Sequence, residues 1–190
     1  MTGASARTIA TAAGVNQALI FYHYGTVDDL LAAACVTTTR SRVARYADRF
    51  AAVTTLRELL DVGRALHAEE LAEGNVSMLA QLLAAAQTGH KLAGPTGEAL
   101  QLWTAEIEAV LHRLLADSPF SEFADIPGLA RAIAAAFVGL ELYEGVDPAG
   151  ADQALSALSQ LAVLVELVDE LGPLATRVLR SRLKRATRPT

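Results

Sequence analysis

Apolar residues recur along the chain at intervals of three and four rather than two, and this spacing constrains the fold most strongly. It is the pattern of amphipathic helices, whereas half-buried strands alternate with a period of two. Much of the apolar content is alanine, the strongest helix former. We therefore expect an all-α fold with helices over residues 5–13, 17–24, 27–50, 56–73, 76–89, 96–117, 128–145, 151–171 and 173–186.

Several predicted helix ends carry a residue suited to capping. Gly14 tolerates the positive φ that would end the first helix, and Asn16 can accept a bond from the free amides of the second. Thr26, Asp28 and Asp29 place oxygen atoms and negative charge at the start of the third helix. The sequence therefore predicts two short helices, 5–13 and 17–24, separated by only three residues.

The helix over 56–73 is predicted to begin after Thr55, which can cap it. Its apolar stripe consists of Leu56, Leu59, Leu60, Gly63, Leu66 and Leu71. The segments KLAGPTGE, DSPFSEFADIPG and GVDPAG concentrate glycine and proline, and we expect each to stop a helix.

The net charge of −5 argues against a protein that coats nucleic acid without selectivity. Local recognition stays open, because arginines are concentrated over residues 40–49 and 177–188. Charged or amide residues interrupt the apolar stretches before the roughly 20 residues that a membrane span requires. No secretion signal is recognisable at the N-terminus, so we expect a cytoplasmic protein without a membrane partner.

The chain has one cysteine, Cys35, which excludes an intramolecular disulfide and a cysteine zinc site. We expect Cys35 to be a small buried side chain. His67 and Glu70 have helical i, i+3 spacing, but two such residues make a poor metal site. No strand-turn nucleophile, phosphate-binding loop or catalytic carboxylate pair is recognisable, so we predict no catalytic residue, no metal and no resident cofactor.

Residues 6–31 are the most informative segment. Two helices joined by a three-residue turn form the layout of a helix-turn-helix. In the second helix, the spacing predicts that Ile20 and Tyr24 face inward with Val15. The opposite, outward face would consist of Gln17, Ala18, Phe21 and Tyr22. An outward pair of aromatic side chains is unusual on a surface unless a partner covers it.

The same segment resembles the signature of the tetracycline-repressor family of transcriptional regulators. The matching residues are Ile9-Ala10, Ala13-Gly14-Val15, Ile20-Phe21-Tyr22-His23-Tyr24 and Asp29-Leu30-Leu31. The resemblance implies a helix-turn-helix head with a connecting helix over residues 1–50 and a helical ligand-binding and dimerisation body over 51–190. It also implies a homodimer that binds a palindromic DNA operator as a repressor and is released by a small-molecule effector.

By this resemblance, the DNA contacts fall on Arg7, Gln17, Ala18, Leu19, Phe21, Tyr22 and His23. A glutamine amide suits the edge of adenine, whereas aromatic rings suit sugars and thymine methyl groups. Arg7 could reach a guanine edge or a phosphate. Alternatively, Arg7 and Gln17 are ordinary solvated surface, and His23 packs inside the head.

The chain departs from the family pattern at three points. Phe21 lacks the tyrosine hydroxyl that could bind a phosphate, and Val27 stands where a lysine commonly anchors the DNA backbone. Both changes predict a weaker dependence of DNA binding on salt. The given sequence lacks the helix that precedes this motif in the family. We expect either that the true start lies upstream, or that another part of the protein covers the gap, or that Ile9, Ala13 and Tyr24 lose part of their cover and the head is loosely held.

The helices over 128–145 and 151–171 are apolar on more than one face and must be buried on several sides. By resemblance they form the four-helix bundle of a homodimer, with an interface at Ile133, Phe137, Leu140, Leu158, Leu161 and Val165. A monomeric core is the alternative. The resemblance also implies a pocket in the body, with candidate residues His67, Met78, Gln81, Trp103, Glu106, Phe137 and Tyr143. The alanine content suits a roomy apolar cavity for a small hydrophobic effector.

Two other classes of protein compete with a regulator. One is a small-molecule sensor or dimerisation module with lost or weakened DNA binding, as the missing helix and Val27 would allow. The other is an α-helical enzyme, for which the sequence offers no recognisable site.

Overall fold

A computed structural model describes residues 5–88, 90–116, 118, 121, 124–169 and 181; within these helices, the side chains at 88, 90, 164–166, 168 and 169 are not described. All regular structure in these ranges is helical, and no strand occurs there. The helices are α1 (Ala6–Ala13), α2 (Gln17–Tyr24), α3 (Val27–Ala52), α4 (Leu56–Ala72), α5 (Asn75–Thr88), α6 (His90–Leu115), α7 (Ile126–Glu144) and α8 (Pro148–Asp169). The all-α prediction is confirmed for the described residues, and the helix predicted over 173–186 lies outside them.

The predicted caps are confirmed. The Asn16 side chain accepts a bond from the Ala18 amide at 2.9 Å, and Thr26 Oγ1 accepts one from the Asp29 amide at 3.1 Å. Thr55 Oγ1 accepts from the Glu58 amide at the start of α4. Helix α8 begins at Pro148, where a proline loses no intrahelical hydrogen bond.

The helix α6 begins six residues before the predicted start at Thr96, so the prediction that KLAGPTGE stops a helix is wrong. The segment lies inside α6, with Pro95 in the helix. Leu92, Thr96 and Ala99 follow at i, i+4 and i+7 and are all buried. Packing of this face outweighs the low helix propensity of glycine and proline.

The chain divides into two compact units. Unit one consists of Met1–Arg45 and Leu71–Trp103, and unit two consists of Tyr46–Glu70 and Thr104–Thr190. The predicted division between head and body at residue 50 stays a prediction.

In unit one, Cys35, Leu82 and Ala99 join α3, α5 and α6 in one buried cluster, which confirms the burial expected of Cys35. Burial raises the pKa of the Cys35 thiol, and the charge of Arg42 opposes the shift. Leu71 is 50% exposed, so its assignment to the buried stripe of α4 is wrong.

In unit two, Tyr46, Val110 and Leu111 are completely buried. The Tyr46 hydroxyl donates to Glu69 at 2.7 Å, and Arg113 donates to the carbonyl of Phe50 at 2.8 Å. These bonds satisfy polar groups beside the core, which would otherwise be costly to bury.

Helix α7 packs against α8. Among the described residues, α7 is the one helix whose length and composition would allow it to cross a membrane, and such a match is weak evidence. Its Glu141 is buried and hydrogen-bonded to His67 of α4, a placement that a lipid-facing position would not provide.

Candidate functional site

The turn between α1 and α2 follows from its residue types. The Ser5 side chain caps α1 in a reciprocal capping box with Thr8. Gly14 ends α1 with φ 67° and ψ 27°, a left-handed conformation that glycine adopts without a side-chain clash. The amide of Val15 donates back to the carbonyl of Ala10 at 3.0 Å. The chain can therefore reverse within three residues and start α2 directly.

A small apolar cluster holds α2 in place. Ala6, Ala10 and Ile20 are buried in it. Ile9, Val27 and Leu30 pack against them and are partly buried, so the start of α3 also contributes. Ile20 is the one buried side chain of α2, which leaves the rest of that helix exposed.

The α2 residues predicted to contact DNA are Gln17, Ala18, Leu19, Phe21, Tyr22 and His23, and all six are exposed. We call these residues the α2 face. Tyr22 is 83% exposed, and its ring meets the His23 ring edge-on at 4.9 Å between centroids. His23 is therefore not packed inside the head, contrary to the alternative considered for it. Arg7 of α1 is also exposed and has no hydrogen-bond or ion-pair partner among the described residues.

The inward face of α2 is smaller than predicted. Val15 is 45% exposed and Tyr24 is 43% exposed, so only Ile20 of the predicted inward set is buried. Ala13 is exposed and Ile9 is partly buried. The three residues expected to lose part of their cover are therefore exposed or only partly buried in the described part of the chain.

The arginines of α3 that suggested a local positive patch are engaged within their own units. In unit one, Arg40 lies 3.4 Å from Glu98 and Arg45 lies 3.0 Å from Glu73. In unit two, Arg49 lies 2.6 Å from Glu69. The contacts with Arg45 and Asn75 lower the pKa of the exposed Glu73 carboxyl. These pairs reduce the positive charge that α3 offers to a phosphate backbone.

Unit two contains a cavity of about 470 Å³ between residues of α4, α7 and α8. Its polar wall consists of Arg64, His67, Glu141, Glu144, Asp152 and Ser156. Its apolar wall consists of Phe137, Leu140, Ala151 and Leu155. The cavity has the size of a small-molecule site, but its lining is more polar than the apolar pocket expected from the sequence.

His67 lies between two carboxylates of α7. Its Nδ1 is 3.3 Å from Glu141 Oε1, and its Nε2 contacts Glu144 Oε2. A neutral imidazole has only one N–H, so both contacts are hydrogen bonds only when the ring or one of the two carboxyl groups holds an additional proton. Burial raises the pKa of Glu141, although the bond and the charge of His67 oppose the shift. The two contacts of His67 link α4 to α7.

The structure brings two of the seven predicted ligand residues, His67 and Phe137, to this cavity, with their rings edge-to-face at 6.0 Å. Met78 and Gln81 of unit one are exposed, and Trp103 is partly buried. In unit two, Glu106 is partly buried. Tyr143 is exposed and donates to Asp147 at 3.2 Å. These five residues do not line the cavity.

The sequence interpretation missed most of the polar wall, including Arg64, Glu141, Glu144 and Asp152. Glu141 and Glu144 have i, i+3 spacing on an otherwise apolar helix, which is the signal that could have identified them. Arg64 and Asp152 resemble ordinary surface residues in sequence. Only their placement beside one cavity distinguishes them.

Of the six residues predicted at a dimer interface, Leu161 is 57% exposed. Ile133, Phe137, Leu140 and Leu158 are partly buried. The side chain of Val165 lies outside the described residues. Phe137 and Leu140 also line the cavity, so the predicted interface and the cavity share part of α7.

No protein-family model matches the chain, and neither a curated protein nor a solved structure matches it. The functional interpretation therefore depends on the chain's own residues, on their geometry and on the motif resemblance described above.

Proposed function

We propose that this chain is a cytoplasmic transcriptional regulator that binds a palindromic DNA operator as a homodimer and is released by a small-molecule effector. The proposal follows the resemblance to the tetracycline-repressor family. One observation carries it: Ile20 is the one buried side chain of α2, and the residues predicted to contact DNA on that helix are all exposed.

The chemistry of the α2 face suits a DNA major groove. The amide of Gln17 can bond to the edge of adenine, and Ala18 is small enough to allow close approach. Phe21, 48% exposed, and Tyr22 can contact sugars and thymine methyl groups. A DNA duplex would cover aromatic surface that the chain itself leaves open.

The electrostatic contribution to DNA binding is expected to be small. Arg7 is the unpaired cation on α1 and α2 within the described residues, and the three α3 arginines Arg40, Arg45 and Arg49 face carboxylates. Few phosphates would be neutralised, so affinity should decrease only weakly with salt. Base and sugar contacts would then account for most of the binding.

A homodimer is supported by the exposed apolar surface of unit two. Leu129, Leu142 and Val146 of α7 and the following turn are exposed, as are Leu161 and Leu167 of α8. A second copy would cover such a surface and would match the two-fold symmetry of a palindrome.

The cavity of unit two supports the effector part of the proposal. It joins α4 to the helices expected at the dimer interface, so a ligand there would favour one arrangement of the subunits over another. Release of DNA would follow from that difference in affinity.

The second candidate function is a sensor or dimerisation module with lost or weakened DNA binding. It is favoured by Phe21 and Val27, which lack the phosphate-binding groups of the family, and by the pairing of the α3 arginines.

Selection from a randomised pool of DNA duplexes separates the two candidates. The regulator should enrich palindromic duplexes whose half-sites lie about 34–36 Å apart, or about one helical turn. Gel-shift with the DNA next to its own gene provides a second substrate. Failure to enrich any sequence at low salt would contradict the regulator and leave the sensor as the better account.

A further inference from the structure

The cavity of unit two carries more negative than positive charge. Three carboxylates line it, on Glu141, Glu144 and Asp152, against one guanidinium, on Arg64. Arg64 is engaged elsewhere, because it donates to Ser159 at 3.0 Å and lies 3.7 Å from Asp61. An anionic ligand would therefore meet repulsion without a free counter-charge.

The three carboxylates differ in the hydrogen-bond partners that the chain provides for them. Glu141 and Glu144 share His67. Asp152 is exposed at the cavity wall and has no hydrogen-bond or ion-pair partner among the described residues. The negative charge available to a ligand therefore lies mainly at Asp152 and at the less buried Glu144, whose side chain is 33% exposed.

The remaining wall is apolar and includes an aromatic ring. Phe137, Leu140 and Leu155 line it. An aromatic face attracts a cation, and the attraction grows when the cation is desolvated. Carboxylates beside an aromatic and aliphatic wall thus match a ligand that has a positive centre attached to an apolar group.

A bare metal ion fits this wall poorly. No group of three His, Cys, Asp or Glu side chains with a suitable arrangement occurs in the part of the chain that the structure describes. The volume of about 470 Å³ also far exceeds what one ion would fill.

We propose that this cavity binds an organic cation, an ammonium or related centre that carries an apolar substituent. The positive centre lies against Asp152 and Glu144, and the apolar substituent lies against Phe137 and Leu155. This replaces the hydrophobic effector expected from the sequence with a cationic one. The regulatory role of the bound cation rests on the proposed function, whereas the binding of the cation to the cavity does not.

Isothermal titration calorimetry on the full chain tests the proposal with benzyltrimethylammonium as the probe. Benzyl alcohol serves as the neutral control and phenylmethanesulfonate as the anionic control. We expect saturable binding of the cation alone. Absence of binding up to about 10 mM, the range of the weakest specific affinities, or equal binding of all three compounds would overturn the proposal.

Three variants locate the site. Asp152→Asn removes an unpartnered carboxylate and should weaken cation binding about tenfold, as expected for the loss of a charge-assisted contact. Phe137→Leu keeps an apolar side chain and should weaken binding about threefold through loss of the ring. The matched control Asp48→Asn removes an exposed carboxylate of α3 outside the cavity and should leave the affinity unchanged.

Far-UV circular dichroism checks that each variant is folded. Equal affinities of Asp152→Asn and Asp48→Asn would overturn the placement of the cation. Binding of the cation without any binding of DNA would support this inference and contradict the proposed function. Binding of DNA without binding of the cation would contradict this inference and support the proposed function.

Discussion

At the scale of single residues, Gly14 is a position in the turn between α1 and α2 at which the backbone conformation favours glycine. Its φ of 67° is unfavourable for L-amino acids. Gly97, in the same unit, lies inside α6, and a methyl group there would meet no atom within 4 Å. The backbone conformation therefore favours glycine at position 14, whereas nothing in the structure requires it at position 97.

We predict that Gly14→Ala lowers the free energy of unfolding of unit one by about 1 kcal/mol, because alanine is strained in the left-handed region. The control Gly97→Ala should raise it by about 0.5–1 kcal/mol, because alanine has the higher helix propensity. Urea unfolding followed by circular dichroism measures both. Changes of the same sign in the free energy of unfolding of the two variants would contradict the left-handed conformation of Gly14 or the helical conformation of Gly97.

Glu141 predicts a dependence of stability on pH. Burial raises its pKa above the usual 4.5, so the folded chain retains a proton there that the unfolded chain has lost. The contribution of Glu141 to stability is therefore fully present below about pH 4.5 and decreases as pH rises through the raised pKa.

The variant Glu141→Gln cannot ionise, so its stability relative to the wild type should increase as pH rises from about 4 to about 7. The surrounding Arg64, Glu70, Glu144 and Asp152 are unchanged in both proteins. Urea unfolding at a series of pH values measures the difference. A stability difference between the variant and the wild type that is constant or decreases over this pH range would show that ionisation of Glu141 does not destabilise the fold.

At the scale of helices, the sequence predicted most of what local chemistry determines. The starts of α2 and α3 depend on Asn16 and Thr26 and were predicted correctly. The start of α6 was predicted incorrectly. It depends on the packing of Leu92 and Ala99, which is a tertiary effect, whereas the Gly-Pro-Thr-Gly segment by itself indicates the end of a helix. Spacing predicted the exposure of Gln17, Ala18, Phe21 and Tyr22 on α2, but it did not predict that Val15 and Tyr24 are exposed too, because burial also depends on what the rest of the chain packs against them.

The early start of α6 makes Leu92 a core residue. Leu92 is 6% exposed, whereas Leu71 of the same unit is 50% exposed. Leu92→Ala should therefore lower the free energy of unfolding by about 2–4 kcal/mol. The control Leu71→Ala should change it by less than about 0.5 kcal/mol. Equal effects would indicate that residues 90–95 do not form a packed helix.

The cavity could be predicted from sequence only in part. His67 and Phe137 were identifiable as a polar and an aromatic residue on apolar helices. Asp152 and Arg64 lie on other elements, and charged residues are ordinarily solvated, so nothing in their local sequence connected them to a site.

At the scale of the whole molecule, binding to a palindromic operator requires a homodimer. Leu161 of the predicted interface is 57% exposed, and Met78 of unit one is 52% exposed, so the two offer a matched comparison. Leu161→Glu would bury an unpaired charge in the dimer and should weaken self-association about a hundredfold. Met78→Glu should leave it unchanged.

Sedimentation velocity over a range of protein concentrations measures the dimerisation. A wild-type chain that stays monomeric throughout, or a Met78→Glu variant that dissociates as readily as Leu161→Glu, would contradict the proposed interface.

The central claim is that the α2 face reads DNA, and fluorescence anisotropy with a duplex enriched by the chain tests it most directly. Tyr22→Ala removes the most exposed aromatic ring of that face and should weaken binding about tenfold or more, whereas Tyr143→Ala, which removes an exposed ring of unit two, should not. Equal affinities of the wild type, Tyr22→Ala and Tyr143→Ala for that duplex would contradict the account.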